Sequence, residues 1–388
     1  MTHLWRTAMD RTWSEWMWLP RRLRWIDIPL EDPLCFPDLF EFFMWASIFG
    51  VVYYSFKKIV FFPYISTPIA MRAGVEAKVK PHPPDNTELE ALYSVSKNKP
   101  TAEMLAAAVI SLGWPERKVQ RWLRQKYASQ QKSNIDKFNE SAFMLFFYTS
   151  FTIAGALIII PKPFFGSPET FLREHPFVSA TSDVWWYWVA NCGYYLSHTY
   201  SYFTQPKVNE FYRTLCHHSM VFLLYVFSLS LNLVAPLCHG LITHEVSDIP
   251  LLLGKLFLYT KNTKCSDACV FVFAVLWVVS RLILYPVLGI WPVFQIPYLI
   301  DSEYWPGLVL CLVYTIVLLV LHLIWTYELA SAIRKKFQTK THVVDYRSSE
   351  DEPFDNDEEI VHKQTHFSSF SNFENTHRRT AVEGRSIS

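Results

Sequence analysis

The chain has 388 residues, of which 51% are hydrophobic and 17% aromatic, and a formal net charge of +1. Its apolar residues gather in blocks of about 20, the length that spans a bilayer, which argues against a row of two or three soluble domains. Charge balance neither favours nor excludes a nucleic-acid partner. The seven cysteines are odd in number and lie mostly in apolar stretches, so they read as buried free thiols. Cys265 and Cys269 are four apart, but no second close pair completes a zinc site.

The first 30 residues mix Arg, Trp and acids around no apolar core, so no cleaved signal peptide is expected. Seven spans follow, at about 37–56, 141–160, 184–204, 214–234, 236–258, 267–291 and 305–330. The predicted fold class is therefore an all-α integral membrane protein with about seven transmembrane helices. Spans four and five are separated only around Ala235 and Pro236, which predicts a tight helical hairpin. Between spans one and two, residues 81–140 form a soluble insert opened by Pro81, Pro83 and Pro84. Two helices are predicted there, about 101–112 and 115–128, with Pro115 suited to a first helical position. The second buries Val119, Trp122 and Leu123 and is basic elsewhere. Four regions result: an N-terminus with the first span (1–60), the insert (81–140), the main bundle (141–335) and a tail (342–388). The tail is polar and acidic, cannot support a core, and reads as disordered. In it, Ser348 and Ser349 precede acids at the third position and are candidate phosphorylation sites.

Basic residues set the orientation. Lys57, Lys58, Arg117, Lys118, Arg121, Arg124 and Lys126 follow span one, Lys207 and Arg213 follow span three, and Arg334, Lys335 and Lys336 open the tail. The alternate loops are poorer, and 292–304 has no Lys or Arg. The positive-inside rule then puts the N-terminus in the lumen and the C-terminus in the cytosol. The sequon Asn139-Glu140-Ser141 falls on the cytosolic side and should stay unmodified.

The chemistry is concentrated in spans four and five. Glu210 and the pair His217-His218 belong to the first, and His244, Glu245 and Asp248 to the second. Ionisable groups are costly in lipid, and several on consecutive spans point to function rather than packing. Glu210 and His217 are two helical turns apart and share a face; His244 and Asp248, four apart, share another, with Glu245 turned off it. A carboxylate beside an imidazole fixes its tautomer and stabilises its charged form, as a general base or nucleophilic His requires. Two His and two carboxylates could ligate zinc or iron, but the His-x-x-x-His and Glu-x-x-His spacings are missing, so no metal is expected. His239 and His322 read as polar groups bonding a neighbouring helix.

The run from Glu210-Phe211 through His217-His218, then Asn232, His244-Glu245-Val246-Ser247-Asp248 and Lys255, resembles the Lag motif of the ceramide synthases, in the TLC-domain superfamily. The insert, ending in Lys137-Phe138-Asn139-Glu140, is similar to that family's Hox-like segment. Pro161-Lys162-Pro163-Phe164, Ser280-Arg281-Leu282-Ile283 and His322-Leu323-Ile324-Trp325-Thr326-Tyr327 also look like family segments, and the likeness covers about residues 18–360.

The resemblance implies a six-helix TLC bundle in the endoplasmic reticulum membrane that transfers a fatty acyl group from acyl-CoA to sphinganine or sphingosine. No cofactor is implied beyond acyl-CoA as co-substrate. By the same resemblance His217 is the acylated nucleophile, and His218, His244 and Asp248 orient it and move protons, with Glu210 and Glu245 in the same centre. Asn232, Lys255, Tyr298 and Trp305 are its candidate substrate contacts. The loop from about Gln295 to Trp305 is implicated in acyl-length choice. Membrane lipid is the surrounding partner, and pairing with another copy or a related synthase is implied. Glu210 and Glu245 stand where the family usually has Asp, and Val221, Ala235 and Leu252 where it has Thr, Arg and an acid. That altered rim motivates an alternative: a weakly active or non-catalytic lipid-binding or regulatory protein. The helix around Trp122 also resembles a homeodomain recognition helix, but Gln125 occupies the adenine-reading position, and no nucleic acid is expected.

Overall fold

The computed structural model describes residues 14–29, 32, 34–76, 82–130, 132–166, 168–204 and 211–339, and all regular structure among them is helical. The first long helix, α1 (Leu39–Arg72), starts where the Asp38 side chain accepts the Glu41 N–H at 2.8 Å. Pro63 lacks a donor and would clash with the preceding turn, and the helix opens into wide π-type turns over Lys57–Ser66. The insert follows as α2 (Thr87–Ser96), α3 (Ala102–Leu112) and α4 (Glu116–Gln130). Six further long helices follow among the described residues: α5 (Asn134–Ile159), α6 (Ser182–Thr204), α7 (Phe211–Ser230), α8 (Val234–Tyr259), α9 (Thr263–Leu299) and α10 (Pro306–Thr339). Pro286 opens a second π-type stretch, Val278–Ile290, within α9.

Helices occupy all seven segments expected to span. Among the described residues, α1, the run through α4 and α5, α9 and α10 contain windows long and apolar enough to cross a membrane. The remaining three, α6 to α8, are more polar because they carry His198, His217, His218, His244 and Asn191. The chain is a multi-pass, all-α membrane protein.

Helices α5 to α10 form a ring: α5 packs on α6 and α8, α8 on α9, α9 on α10, α10 on α7, and α7 on α6. Helix α1 lies outside it, along α6. That crossing is close because two glycines meet: a Cβ on Gly193 would come within 2.7 Å of the Ala46 carbonyl oxygen. An aromatic core joins α1, α5 and α6, with the Phe147 and Tyr194 rings stacked at 4.7 Å. Lys57 of α1 is buried and pairs with Glu140 of α5 at 2.5 Å, and its Nζ donates to Ser201 of α6.

The predicted hairpin of α7 and α8 exists, turning at Asn232 with φ 53°. Its helices contact each other more sparsely than their main partners: α7 leans on α10, and α8 on α5 and α9. The two ionisable segments therefore face a shared interior and are not simply packed side by side.

The insert has one helix more than predicted. Helix α2 presents few apolar anchors, Leu89 and Tyr93 chief among them, so its periodicity is faint in the sequence. Those two residues join Leu105, Val119, Trp122 and Leu123 in a small core. Trp122 Nε1 donates to the Pro84 carbonyl at 2.6 Å, and Lys126 pairs with Glu90 at 2.6 Å. Asn139 is buried, its amide donating to Thr67 Oγ1 at 2.8 Å, which leaves no room for a glycan. Four cysteines are buried as read, but Cys216 and Cys265 are exposed and Cys269 is half-buried.

Candidate active site

Helices α7, α8 and α10 bring three imidazoles together. The ring of His322, on α10, lies 5.1 Å from that of His244 and 6.5 Å from that of His217, centroid to centroid. Trp325 meets His217 edge-on at 5.2 Å, and Tyr285 meets His244 edge-on at 5.0 Å. The walls are aromatic.

His244 Nδ1 lies 2.7 Å from the Gly240 carbonyl one turn back. A carbonyl can only accept, so Nδ1 carries a proton, and in the neutral ring Nε2 keeps the lone pair. Among the described residues that buried Nε2 has no hydrogen-bond partner. The spacing of His244 and Asp248 predicts that the carboxylate fixes the imidazole. Instead Asp248 faces Arg281 at 3.4 Å, and the backbone sets the tautomer. Arg281 Nη2 also donates to the His244 carbonyl at 2.7 Å, and its guanidinium lies 5.1 Å from the Trp277 ring centroid. Arg281 is buried, and its Nε and Nη1 are unpartnered among the described residues.

The neighbouring histidine takes a different course. His218 is buried, with Nδ1 3.1 Å from Thr199 Oγ1 and its ring 5.2 Å from His198 of α6. His198 in turn stacks on Tyr194 at 5.9 Å. The roughly 100° between adjacent helical residues thus sends His217 toward α10 and His218 toward α6.

Glu245 turns away from the imidazoles, as its position beside His244 predicts. It is buried, accepting from Asn191 Nδ2 and, at 3.3 Å, from the Tyr187 hydroxyl. Asn191 Oδ1 accepts from the Tyr225 hydroxyl at 2.9 Å. This network ties α6, α7 and α8 together, so what surrounds Glu245 is a scaffold of neutral donors.

The other candidates are dispersed. Asn232 donates from Nδ2 to the carbonyls of Pro176, at 2.8 Å, and Val178, tying the helical turn to the loop before α6. Lys255 is half-buried on α8, two turns past Asp248. Tyr298 is exposed at the end of α9 beside Phe294 and Tyr304. Trp305 is buried in a core with Leu231 and Leu308 and stacks on His175 at 5.9 Å. Burial pulls the His175 ring down to about 3. Val221, Ala235 and Leu252 belong to or pack against the main apolar core, so their places hold no polar shell. Glu210, Ser348 and Ser349 lie outside the described residues. Among the described residues no three of His, Cys, Asp or Glu are placed to hold a metal ion.

Sequence reasoning left His322 as polar glue and gave Arg281 no role. A signal existed for both, since each is an ionisable residue within an apolar span. His198, within span 184–204, carries the same mark, whereas Asn191 carries none in a segment already rich in Tyr and Trp.

The sequence pattern of the TLC domain matches residues 137–331, half of the chain. The chain belongs to the TLC-domain family. Within it, the chain is a divergent relative of the ceramide synthases. It is 28% identical to ceramide synthase 3 of Mus musculus over 280 residues, which is 71% of each chain. It is 26% identical to ceramide synthase 3 of Homo sapiens over 349 residues, 89% of each. Ceramide synthase 5 of Homo sapiens is 27% identical over 332 residues, covering 82% of this chain and 81% of that one. The family match starts at Lys137, the end of the insert, and closes within α10.

Proposed function

We propose that this TLC-domain protein is a sphingoid-base N-acyltransferase of the endoplasmic reticulum. It moves a fatty acyl group from acyl-CoA to the amine of sphinganine or sphingosine, with its N-terminus in the lumen and its C-terminus in the cytosol. Acyl-CoA is the co-substrate and no further cofactor takes part. The observation that carries the reading is His244 Nε2, a buried imidazole nitrogen with no hydrogen-bond partner among the described residues, in the same aromatic-walled cluster as His217. Nucleophilic acyl transfer needs this pairing of an acceptor imidazole with a base nearby.

In this mechanism a ring nitrogen of His217 attacks the thioester carbonyl. The carbon–sulfur bond breaks, the electron pair leaves on sulfur, and an acyl-imidazole remains. The amine then attacks that carbonyl, the carbon–nitrogen bond to His217 breaks, and the amide leaves with the acyl chain. Thioester and acyl-imidazole are both reactive toward water, and the aromatic walls of Trp277, Tyr285 and Trp325 restrict its access to the cluster. The buried Arg281 cation beside the His244 carbonyl adds positive potential to the cluster.

A second reading, a lipid-binding protein without turnover, is favoured by one observation: Val221, Ala235 and Leu252 lie in apolar packing where family members carry polar residues. Microsomes containing the protein, given labelled sphinganine and acyl-CoA of graded length, separate the two. The transferase reading expects labelled dihydroceramide from wild type and none from His217→Ala. Retained lipid with no amide product supports the binding reading instead.

A further inference from the structure

The transferase reading leaves one buried group without a task. His322 is fully buried in α10, and among the described residues neither of its ring nitrogens has a hydrogen-bond partner. A buried imidazole has at least one N–H and one lone pair to satisfy, and leaving both unmet costs stability. A histidine serving as polar glue between helices would meet a carbonyl or hydroxyl. The groups around it are two imidazoles and three aromatic rings: His217 of α7, His244 of α8, Trp277 and Tyr285 of α9, and Trp325 one turn along α10. The Tyr285 hydroxyl donates its proton to the Thr315 carbonyl at 2.9 Å, so it does not donate to His322. The other charged groups nearby, Arg281 and Asp248, face each other and the His244 backbone.

We propose that His322 is the proton carrier of this site, standing between His217 and the lone pair of His244. The inference rests on the transferase reading above. When the ring of His217 is acylated, its N–H proton must leave. His322 takes that proton on the ring edge facing His217, becoming an imidazolium with a second N–H. That second N–H donates to His244 Nε2, whose lone pair is fixed by the bond from Nδ1 to the Gly240 carbonyl. The two ring centroids are 5.1 Å apart and the rings are tilted by 48°, close enough for the protonated His322 ring to turn and close an N–H···N bond that the pair does not make in this structure. The wider 6.5 Å to His217 leaves reach for a transfer through one water. His322 next gives its proton to the departing thiolate, so the first half-reaction ends with free thiol and a neutral site. In the second half, the uncharged amine forms the new carbon–nitrogen bond. Its surplus proton passes to His322 and from there to the freed His217 ring. No charge accumulates and nothing is oxidised or reduced. His244 therefore acts through His322, as the acceptor that stabilises its charged form, and need not touch the substrate.

The test compares full-length wild type, His322→Asn and His322→Ala in proteoliposomes, measuring amide formation and, separately, CoA release without amine. His322→Asn keeps hydrogen-bonding capacity but cannot titrate. It is expected to lower kcat by 10²- to 10⁴-fold, the usual contribution of a general acid–base group, with little change in KM for acyl-CoA. The pH profile of kcat should lose its acidic limb. In His322→Ala, which vacates the ring's space, added imidazole should restore activity in proportion to its neutral fraction. A merely structural histidine shows neither the altered profile nor pH-dependent rescue. Active wild type together with a His322→Asn rate within threefold of it and an unchanged pH profile overturns the carrier role alone. Loss of activity in His322→Ala that imidazole does not restore at any pH also overturns it. Wild type that makes no amide overturns the transferase reading, and the carrier role with it.

Discussion

Replacing Glu245 by Ala separates scaffold from chemistry at a residue that the sequence places in the reactive centre. The carboxylate is buried and accepts from Asn191 Nδ2 and the Tyr187 hydroxyl, while Asn191 is held from its other side by Tyr225. Truncation leaves two buried donors without an acceptor, at about 1–3 kcal/mol each, and opens a small void as well. A total on the order of 3–5 kcal/mol follows, and at roughly 2–4 °C per kcal/mol for a fold of this size the apparent melting temperature should fall by about 10 °C. The assay is monodispersity after heating in detergent, read beside amide formation at a temperature well below the melt. The expected rate per folded molecule is within about threefold of wild type. His244→Ala should do the reverse, sparing the melt and losing the rate. A Glu245→Ala protein that melts like wild type but turns over a hundredfold more slowly would refute the scaffold assignment.

Asn232→Ala should cost about 1–3 kcal/mol of stability, because Asn232 sits at positive φ and holds the Pro176 and Val178 carbonyls; KM for acyl-CoA should not move. Gly193→Ala should lower the melting temperature more than Gly50→Ala, since the new Cβ meets backbone oxygen at 2.7 Å in the first case and 3.2 Å in the second. His175 makes stability fall with acid: its ring stays neutral when folded down to about 3, whereas the unfolded ring protonates below about 6.5. The loss begins as pH drops through the unfolded value and reaches about 2 kcal/mol near pH 5, and His175→Phe should flatten the melting profile across that window.

Much of the fold is legible in the sequence because lipid imposes one simple demand, an apolar run of sufficient length. That demand marks α1, α5, α9 and α10 clearly. The small helix α2 is hidden because two anchors, Leu89 and Tyr93, make too faint a stripe to read against Glu and Ser. At the site, spacing correctly separates His217 from His218 and turns Glu245 away from His244. Spacing along one helix cannot say which neighbour a side chain meets. Asp248 shares a face with His244, yet its partner is Arg281, supplied by α9 some 33 residues further along. His322 joins the cluster from α10 for the same reason: the ring order of helices, not chain order, sets the company it keeps.

The measurement that bears most directly on the central claim is mass spectrometry of the purified protein after rapid mixing with acyl-CoA in the absence of amine. The account predicts one acyl group on the peptide containing His217, discharged to amide when sphinganine is added and missing in His217→Ala. An acyl group on another residue, or amide made at the wild-type rate by His217→Ala, would contradict it.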